Sequence, residues 1–202
     1  MIQLTIIRHG ETIENANNLC QGQQQGTLSE LGVNQAKLLA ERLKEEAIDV
    51  FYSSDLQRTI DTSAEILKYH PKLPFNTEPL LRERYLASWE GKPFPDDWHW
   101  EYLPDGAETN EDMMARAQKY IDLVLERHEG MRVMAMTHGG LIRALRTVIT
   151  RKPASEYFSW EPVKNTSVCR VELHADGKHR VVEMNNTDHL SFETPGTRQE
   201  FS

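Results

Sequence analysis

The chain has 202 residues and a mass of 23.3 kDa, a length that suits one domain, with or without an insertion, and would cramp two. Apolar residues make up 39% and charged residues 27%, with a mean hydropathy of -0.60, yet recurring Val/Ile/Leu/Met clusters exclude a disordered chain. Acidic residues outnumber basic ones by 31 to 23, giving a net charge of -8 and a pI near 5.5, whereas a nucleic-acid or anionic-membrane binder shows a basic excess.

No run approaches the ~18 apolar residues of a membrane span. The opening MIQLTIIRHGE has no basic stretch before its apolar run and no small-residue cleavage site, so it reads as a first strand rather than an export signal. Cys20 and Cys169 are too few for a disulfide framework. Reduced thiols and a cytoplasmic location are expected.

In chain order, Leu4–Ile7 is an apolar, β-branched run and reads as a buried strand. Residues 15–26 are polar and Gln-rich, a loop. Residues 31–44 carry apolar side chains at 31, 36, 38, 39, 40 and 43, a helical stripe, with Ser29 placed to cap it. Val50–Ser53 is a short strand. Ser54 or Asp55 then caps a helix to about Lys68, with Leu56, Ile60, Ala64 and Leu67 facing inward, and Pro71 and Pro74 end that element.

Residues 84–107 break the rhythm with three tryptophans, three prolines and five acids, and read as a small cap inserted over one face. Thr109 opens a helix to about His128, striped by Met113, Ala117, Ile121 and Val124. Val133–Thr137 is a strand, Gly139-Gly140 a tight turn, and Leu141–Ile149 a helix. Val168–Leu173 and His179–Met184 flank Asp176-Gly177, a hairpin signal. Alternating strands and helices predict an α/β fold, a mostly parallel sheet flanked by helices on both faces, with the hairpin as an antiparallel edge. One domain over residues 1–190 and a polar tail over 191–202 complete the expectation.

In such sheets ligands bind beyond the carboxyl ends of the strands. The unusual residues fall there. The first strand ends in Arg8-His9-Gly10-Glu11-Thr12, followed by Asn15. A later strand ends in Thr137-His138-Gly139-Gly140 and runs into a helix whose N-terminal amides suit an anion. Ser53-Ser54-Asp55-Leu56-Gln57-Arg58-Thr59 places Arg58 in the first turn of another helix that follows a strand. Taken singly, each is ordinary: a histidine at a strand end is usually a satisfied polar residue, an arginine at a helix start a solvated charge. Two guanidiniums and two imidazoles at three strand ends form a set suited to a tetrahedral oxyanion such as phosphate. No H-E-x-x-H occurs, and His9 and His138 have no Cys or carboxylate at ligand spacing, so no metal is expected. His174 and His179, beside the hairpin turn, read as surface residues.

These stretches, together with Leu28-Ser29-Glu30-Leu31-Gly32, Gln35-Ala36, Leu81-Arg82-Glu83 and Trp89-Glu90-Gly91, resemble the histidine phosphatase superfamily, the phosphoglycerate mutase-like clan. The matches run in family order from residue 4 to about 190. The resemblance implies a phosphoric monoester hydrolase acting on small phosphorylated metabolites without cofactor or metal. His9 would be the nucleophile. Arg8, Arg58 and His138 would hold the phosphate, helped by Asn15 and the Gly139 amide. Glu83 would protonate the leaving oxygen and later activate water; its bland alternative is a surface carboxylate paired with Arg82 or Arg84. A covalent phosphohistidine divides one hard transfer into two easier ones. His9 must be neutral, its second ring nitrogen donating to a backbone carbonyl to fix the tautomer.

Glycolytic mutases of this family carry a long, basic insertion between the acid and the second histidine. Here that gap is short and residues 85–107 hold one base, Lys92, against five acids. Hydrolysis is therefore ranked above a cofactor-primed phosphoglycerate mutase, and both above an inactive phosphate-binding module. Cys20-Gln21-Gly22-Gln23 and Asn186-Thr187-Asp188-His189-Leu190 resemble the broad-specificity and fructose-2,6-bisphosphatase-type members. The acidic insertion argues against a highly charged substrate. Trp89, Trp98 and Trp100 either line a substrate pocket or pack the cap, and Tyr85, Trp98 and Glu101 are candidate specificity residues. Expected partners are a small phosphate ester, no nucleic acid and no membrane. Family members occur as monomers and dimers, so a homodimer stays open.

Overall fold

In the computed structural model, which describes residues 1–94 and 103–191, six strands form one mixed sheet in the order β3-β2-β4-β1-β5-β6. Strands β1 (Ile2–Arg8), β2 (Val50–Ser53), β3 (Phe75–Thr77) and β4 (Arg132–Thr137) run parallel; β5 (Val168–Leu173) and β6 (Arg180–Asn186) add the antiparallel hairpin edge. The central strands are apolar on both faces because helices cover both. Leu4, Ile6, Val50, Tyr52, Val133 and Ala135 point into one cluster, where they meet Met113, Ala117, Ile121 and Val124 of α4 (Asn110–Arg127) and Leu141, Ile142 and Leu145 of α5 (Gly139–Ile149). The alternate residues Ile7, Phe51, Met134 and Met136 point into a second cluster with Leu39, Ala40 and Leu43 of α2 (Glu30–Leu43) and Ile66 of α3 (Gln57–Leu67). The period-2 side-chain alternation of each strand thus divides the core into two layers.

Local signals set the helix starts. Ser29 Oγ accepts from the Gly32 amide at the head of α2, and Thr109 forms a reciprocal capping box with Asp112 at the head of α4. Elsewhere the structure departs from the expected pattern. A four-residue helix, α1 (Ile13–Ala16), occupies the start of the polar loop, where Thr12 and Asn15 satisfy each other's backbone amides. Residues beyond Pro74 form β3, an edge strand too short and too polar to show a period. Neither Ser54 nor Asp55 caps α3: Leu56 stands at that position without a side-chain bond, because the Asp55 carboxylate is paired with Arg82 at 2.5 Å. Of the predicted inward residues of α3 only Leu56, at its N-cap, is buried. Ala64 is exposed, Ile60 and Leu67 are half-buried, and the buried side is Arg58, Thr59, Thr62, Ser63 and Ile66. Finally, Gly139 and Gly140 are the first turn of α5 rather than a turn before it.

Close packing at the carboxyl end of β1 sets the geometry of the turn that follows it. A Cβ on Gly10 would lie 2.6 Å from the Gly32 carbonyl oxygen, and one on Gly32 only 1.9 Å from that of Glu11. The head of α2 therefore sits directly on the turn after His9. Gly32→Ala is expected to force these backbones apart at ~1–3 kcal/mol, lowering Tm by several degrees for a chain of this size. Thermal unfolding checks this; an unchanged Tm would show that the contact is loose.

Candidate active site

The strand ladder continues past the strands and brings three chain segments side by side. The His9 amide donates to the Thr137 carbonyl at 3.1 Å, and the Ser54 amide to that of Met136 at 2.9 Å. His9, Ser54 and His138 therefore emerge as neighbours at the carboxyl edge. The imidazoles of His9 and His138 meet edge to face, 5.1 Å between centroids. Both are almost fully buried.

Arg58 joins them. Its Nε lies 3.2 Å from His9 Nε2 and 3.2 Å from His138 Nδ1. Its Nη1 donates to the Gln24 and Gln25 carbonyls at 2.5 and 3.2 Å, and its Nη2 to Gly22 at 2.9 Å. The guanidinium is 1% exposed and has no carboxylate in contact among the described residues. Burial pushes it down to about 10, partly offset by the field of Glu83, so it stays charged at neutral pH. Burial, then the charge of Arg58, holds both imidazoles well below the ordinary histidine range. The hydrogen bonds agree with neutral rings. His9 Nδ1 lies 2.7 Å from the Gly10 carbonyl, an acceptor only, so this nitrogen carries the proton and Nε2 keeps its lone pair. His138 accepts from Arg58 at Nδ1 and donates from Nε2 to Ser54 Oγ at 3.0 Å.

Around this group lies a cleft of about 200 Å³. Arg8 reaches it from β1, its Nη1 donating to the Val163 carbonyl at 2.5 Å while its buried Nε has no partner. Asn15 lines the wall with its Oδ1 engaged by the Thr12 amide, which leaves its Nδ2 donors for the cleft. Gly139 stands at the uncapped N-terminus of α5. Glu83 lies across the cleft, accepting from the Gly140 amide at 3.0 Å and from the Arg84 amide at 2.7 Å. Seven predicted positions thus share one cleft: Arg8, His9, Asn15, Arg58, Glu83 and Gly139 line it, and His138 sits directly behind Arg58.

Other expectations fall elsewhere. Tyr85 is 42% exposed and is not part of the cleft wall. Trp89 is half-buried in a short 3-10 turn, also off the wall. Trp98, Trp100 and Glu101 lie outside the described residues. Cys20 and Cys169 are buried free thiols, pushed up to about 11 by burial. His174 and His179 touch each other beside the hairpin turn.

The reading of the residues missed several neighbours. Thr62 Oγ1 accepts from the Gly10 amide at 3.0 Å, and Asn165 donates to the His9 carbonyl at 3.0 Å; together they fix the backbone at His9 and Gly10. Glu90 accepts from the Gln23 amide at 2.7 Å, tying the loop that grips Arg58 to residues 90–93. Arg143, the fifth residue of α5, and Phe158 also line the cleft. Arg143 was legible as a long cation one turn into a helix whose N-terminus was expected to face an anion.

A doubly wound sheet carrying two buried imidazoles and two arginines at its carboxyl edge defines a phosphoryl-transfer site. The family model of the histidine phosphatase superfamily (branch 1) matches residues 4–187. The chain is 32% identical to the metal-independent phosphoserine phosphatase of Arabidopsis thaliana, over 94% of this chain and 83% of that one. It is 31% identical to the probable phosphoglycerate mutase GpmB of Yersinia pestis, over 85% of each. Its fold overlays a mycobacterial glucosyl-3-phosphoglycerate phosphatase, complexed with VO3, at a TM-score of 0.83 and 27% identity, covering 91% of this chain and 98% of that one. The protein belongs to the histidine phosphatase superfamily and is a histidine phosphatase enzyme.

The neutral buried histidines couple stability to pH. His9 and His138 resist protonation when folded, and His189, buried beside Arg42, is held down to about 4. The unfolded chain protonates all three near pH 6.5, so it gains protons that the folded state refuses. Stability is therefore full above pH 6.5 and falls as the pH drops below it, by up to about 1.4 kcal/mol per pH unit for each such group. Denaturant unfolding from pH 7.5 to 5 should show this slope, and His9→Asn should reduce it. A slope unchanged in the variant would mean that His9 is charged in the fold.

Proposed function

We propose that the enzyme hydrolyses small phosphate monoesters through a phosphohistidine on His9. The observation that carries this is the orientation of His9: Nδ1–H tied to a carbonyl, Nε2 unprotonated and facing a cationic cleft. Arg8 Nε, the Asn15 amide, the Gly139 amide and Arg58 supply donors to the phosphate oxygens. Nε2 attacks phosphorus, the ester P–O bond breaks, and Glu83 gives its proton to the departing oxygen. The resulting carboxylate then takes a proton from water as that water attacks the phosphohistidine, releasing phosphate. Phosphoryl transfer asks mainly for positioning and charge stabilisation, so each clamp residue is worth ~10²–10³ in rate.

The remaining wall suggests the substrate class. Leu19, Leu86, Phe94 and Phe158 give it an apolar side, and Arg84 and Arg143 a basic one. The described wall has four arginines and one carboxylate, and Asp96, Asp97 and Glu101 of the acidic insertion lie outside the described residues. Arg84 is committed to the Glu108 carbonyl and Asn110, while the Arg143 guanidinium lies over the Phe158 ring, 5.7 Å from its centroid. An ester bearing a carboxylate or second anionic group, seated on Arg143, fits this wall best.

Phosphate release from a panel of monoesters tests both statements. Wild-type enzyme should release phosphate, indifferent to chelator, and His9→Asn should abolish turnover while keeping its fold. Arg143→Ala should raise KM ~10-fold or more for anionic esters and little for neutral ones, the loss of one charge-assisted hydrogen bond. Full turnover by His9→Asn overturns the phosphohistidine. Isomerisation of 3-phosphoglycerate that depends on 2,3-bisphosphoglycerate, without net hydrolysis, makes the enzyme a mutase, the activity its Yersinia relative's name carries.

A further inference from the structure

Glu83 is held through its backbone, and that backbone is held from another helix. The chain leaves the 3-10 turn at Pro79–Leu81 in an extended conformation, so the carbonyls around Glu83 have no helix or sheet to pair with. Thr137 Oγ1 takes that of Leu81 at 2.6 Å. One side chain, Arg116 of α4, gathers the other three. Its Nη1 donates to Leu80 at 3.1 Å and Arg82 at 2.5 Å, and its Nη2 to the Glu83 carbonyl at 3.1 Å.

The same guanidinium is forked onto Glu108, Nε to Oε1 at 2.9 Å and Nη2 to Oε2 at 2.7 Å, with the two side chains only 14% and 21% exposed. Glu108 then reaches the far side of Glu83. Its Oε2 accepts from the Tyr85 amide at 2.8 Å, and its carbonyl from Arg84 Nη1 at 2.7 Å. One ion pair therefore grips the chain before and after Glu83. An exposed pair would be worth little, but a planar fork holding fixed carbonyls imposes geometry that a lysine cannot copy.

We propose that Arg116 and Glu108 form a positioning pair that sets the Glu83 carboxyl at the leaving-group oxygen, acting on proton donation and not on phosphate binding. This rests on Glu83 being the proton donor. A displacement of ~1 Å at such a group is enough for a ~10²-fold loss. The loss must depend on the leaving group, because an alkoxide needs the proton and a nitrophenolate does not.

The test compares kcat/KM for an alkyl phosphate and for p-nitrophenyl phosphate in Arg116→Lys, Arg116→Gln, Glu108→Gln and, as reference, Glu83→Gln. The kcat/KM ratio reports the steps through phosphoryl transfer. Arg116→Gln and Glu108→Gln should lose ~10²-fold on the alkyl ester, less than ~10-fold on the nitrophenyl ester, and keep the wild-type inhibition constant for inorganic phosphate. Arg116→Lys should lie between. Equal losses on both esters make the pair a structural strut and overturn the proposal, as does no loss on either. If Glu83→Gln itself shows no dependence on the leaving group, the acid assignment fails first, a result distinct from failure of the pair. Should Arg116→Gln not fold, Arg116→Lys and Glu108→Gln carry the same comparison.

Discussion

Arg58 is the constraint on which the site depends. A buried guanidinium without a carboxylate is expensive, and the protein meets that expense with dipoles. Three loop carbonyls and two imidazole lone pairs take its donors. Each of these partners is then fixed by Arg58 in return. The loop at residues 22–25 has no regular structure of its own beyond turns; it is ordered by the cation it solvates and by the stitch to residues 90–93. A carboxylate at that point would have satisfied Arg58 more simply, and would also have cancelled the field that draws a phosphate.

The same choice adds to burial in setting the protonation of the histidines. Burial, and after it the charge of the cation between the two rings, keeps both neutral, and the proposed mechanism requires a neutral His9. Electrostatic preorganisation of this kind works because the dipoles are already aligned before the substrate arrives.

Much of this was legible in the residues, and the exceptions have physical reasons. The parallel order of the central strands, the hairpin edge and α2 and α4 follow from apolar periods that extend over several turns. The short elements, α1 and β3, are too brief to show a period and exist through single contacts, Thr12 with Asn15 and the pairing of residues 75–77 with β2. The error on α3 is the instructive one. Of the apolar residues that predicted its buried face only Leu56 is buried, and the helix itself buries Arg58, Thr59, Thr62, Ser63 and Ile66. Over its first turns the helix gives its inner surface to polar contacts around the cleft, so the apolar period failed there. The resemblance to a family pointed to the residues that share the cleft. It did not disclose what supports them, since Thr62, Asn165 and Arg116 act through main-chain atoms that leave no motif in the sequence.

The division of labour between the two sides of the cleft follows from the sheet. His9 and His138 stand at the ends of neighbouring strands, locked in register by the ladder, and their spacing cannot change without breaking the sheet. Glu83 stands on a connection, where no ladder exists. On the proposed mechanism the nucleophile meets phosphorus along one line and benefits from rigidity, whereas the acid serves two different oxygens in turn, that of the leaving group and that of the attacking water. Placing it on extended chain makes that possible, but leaves its backbone carbonyls to be satisfied from elsewhere. Thr137, Gln23 and Arg116 satisfy them; Arg116, which takes three carbonyls, comes from the helix that begins just after the inserted segment, and its counter-ion Glu108 lies just before that helix.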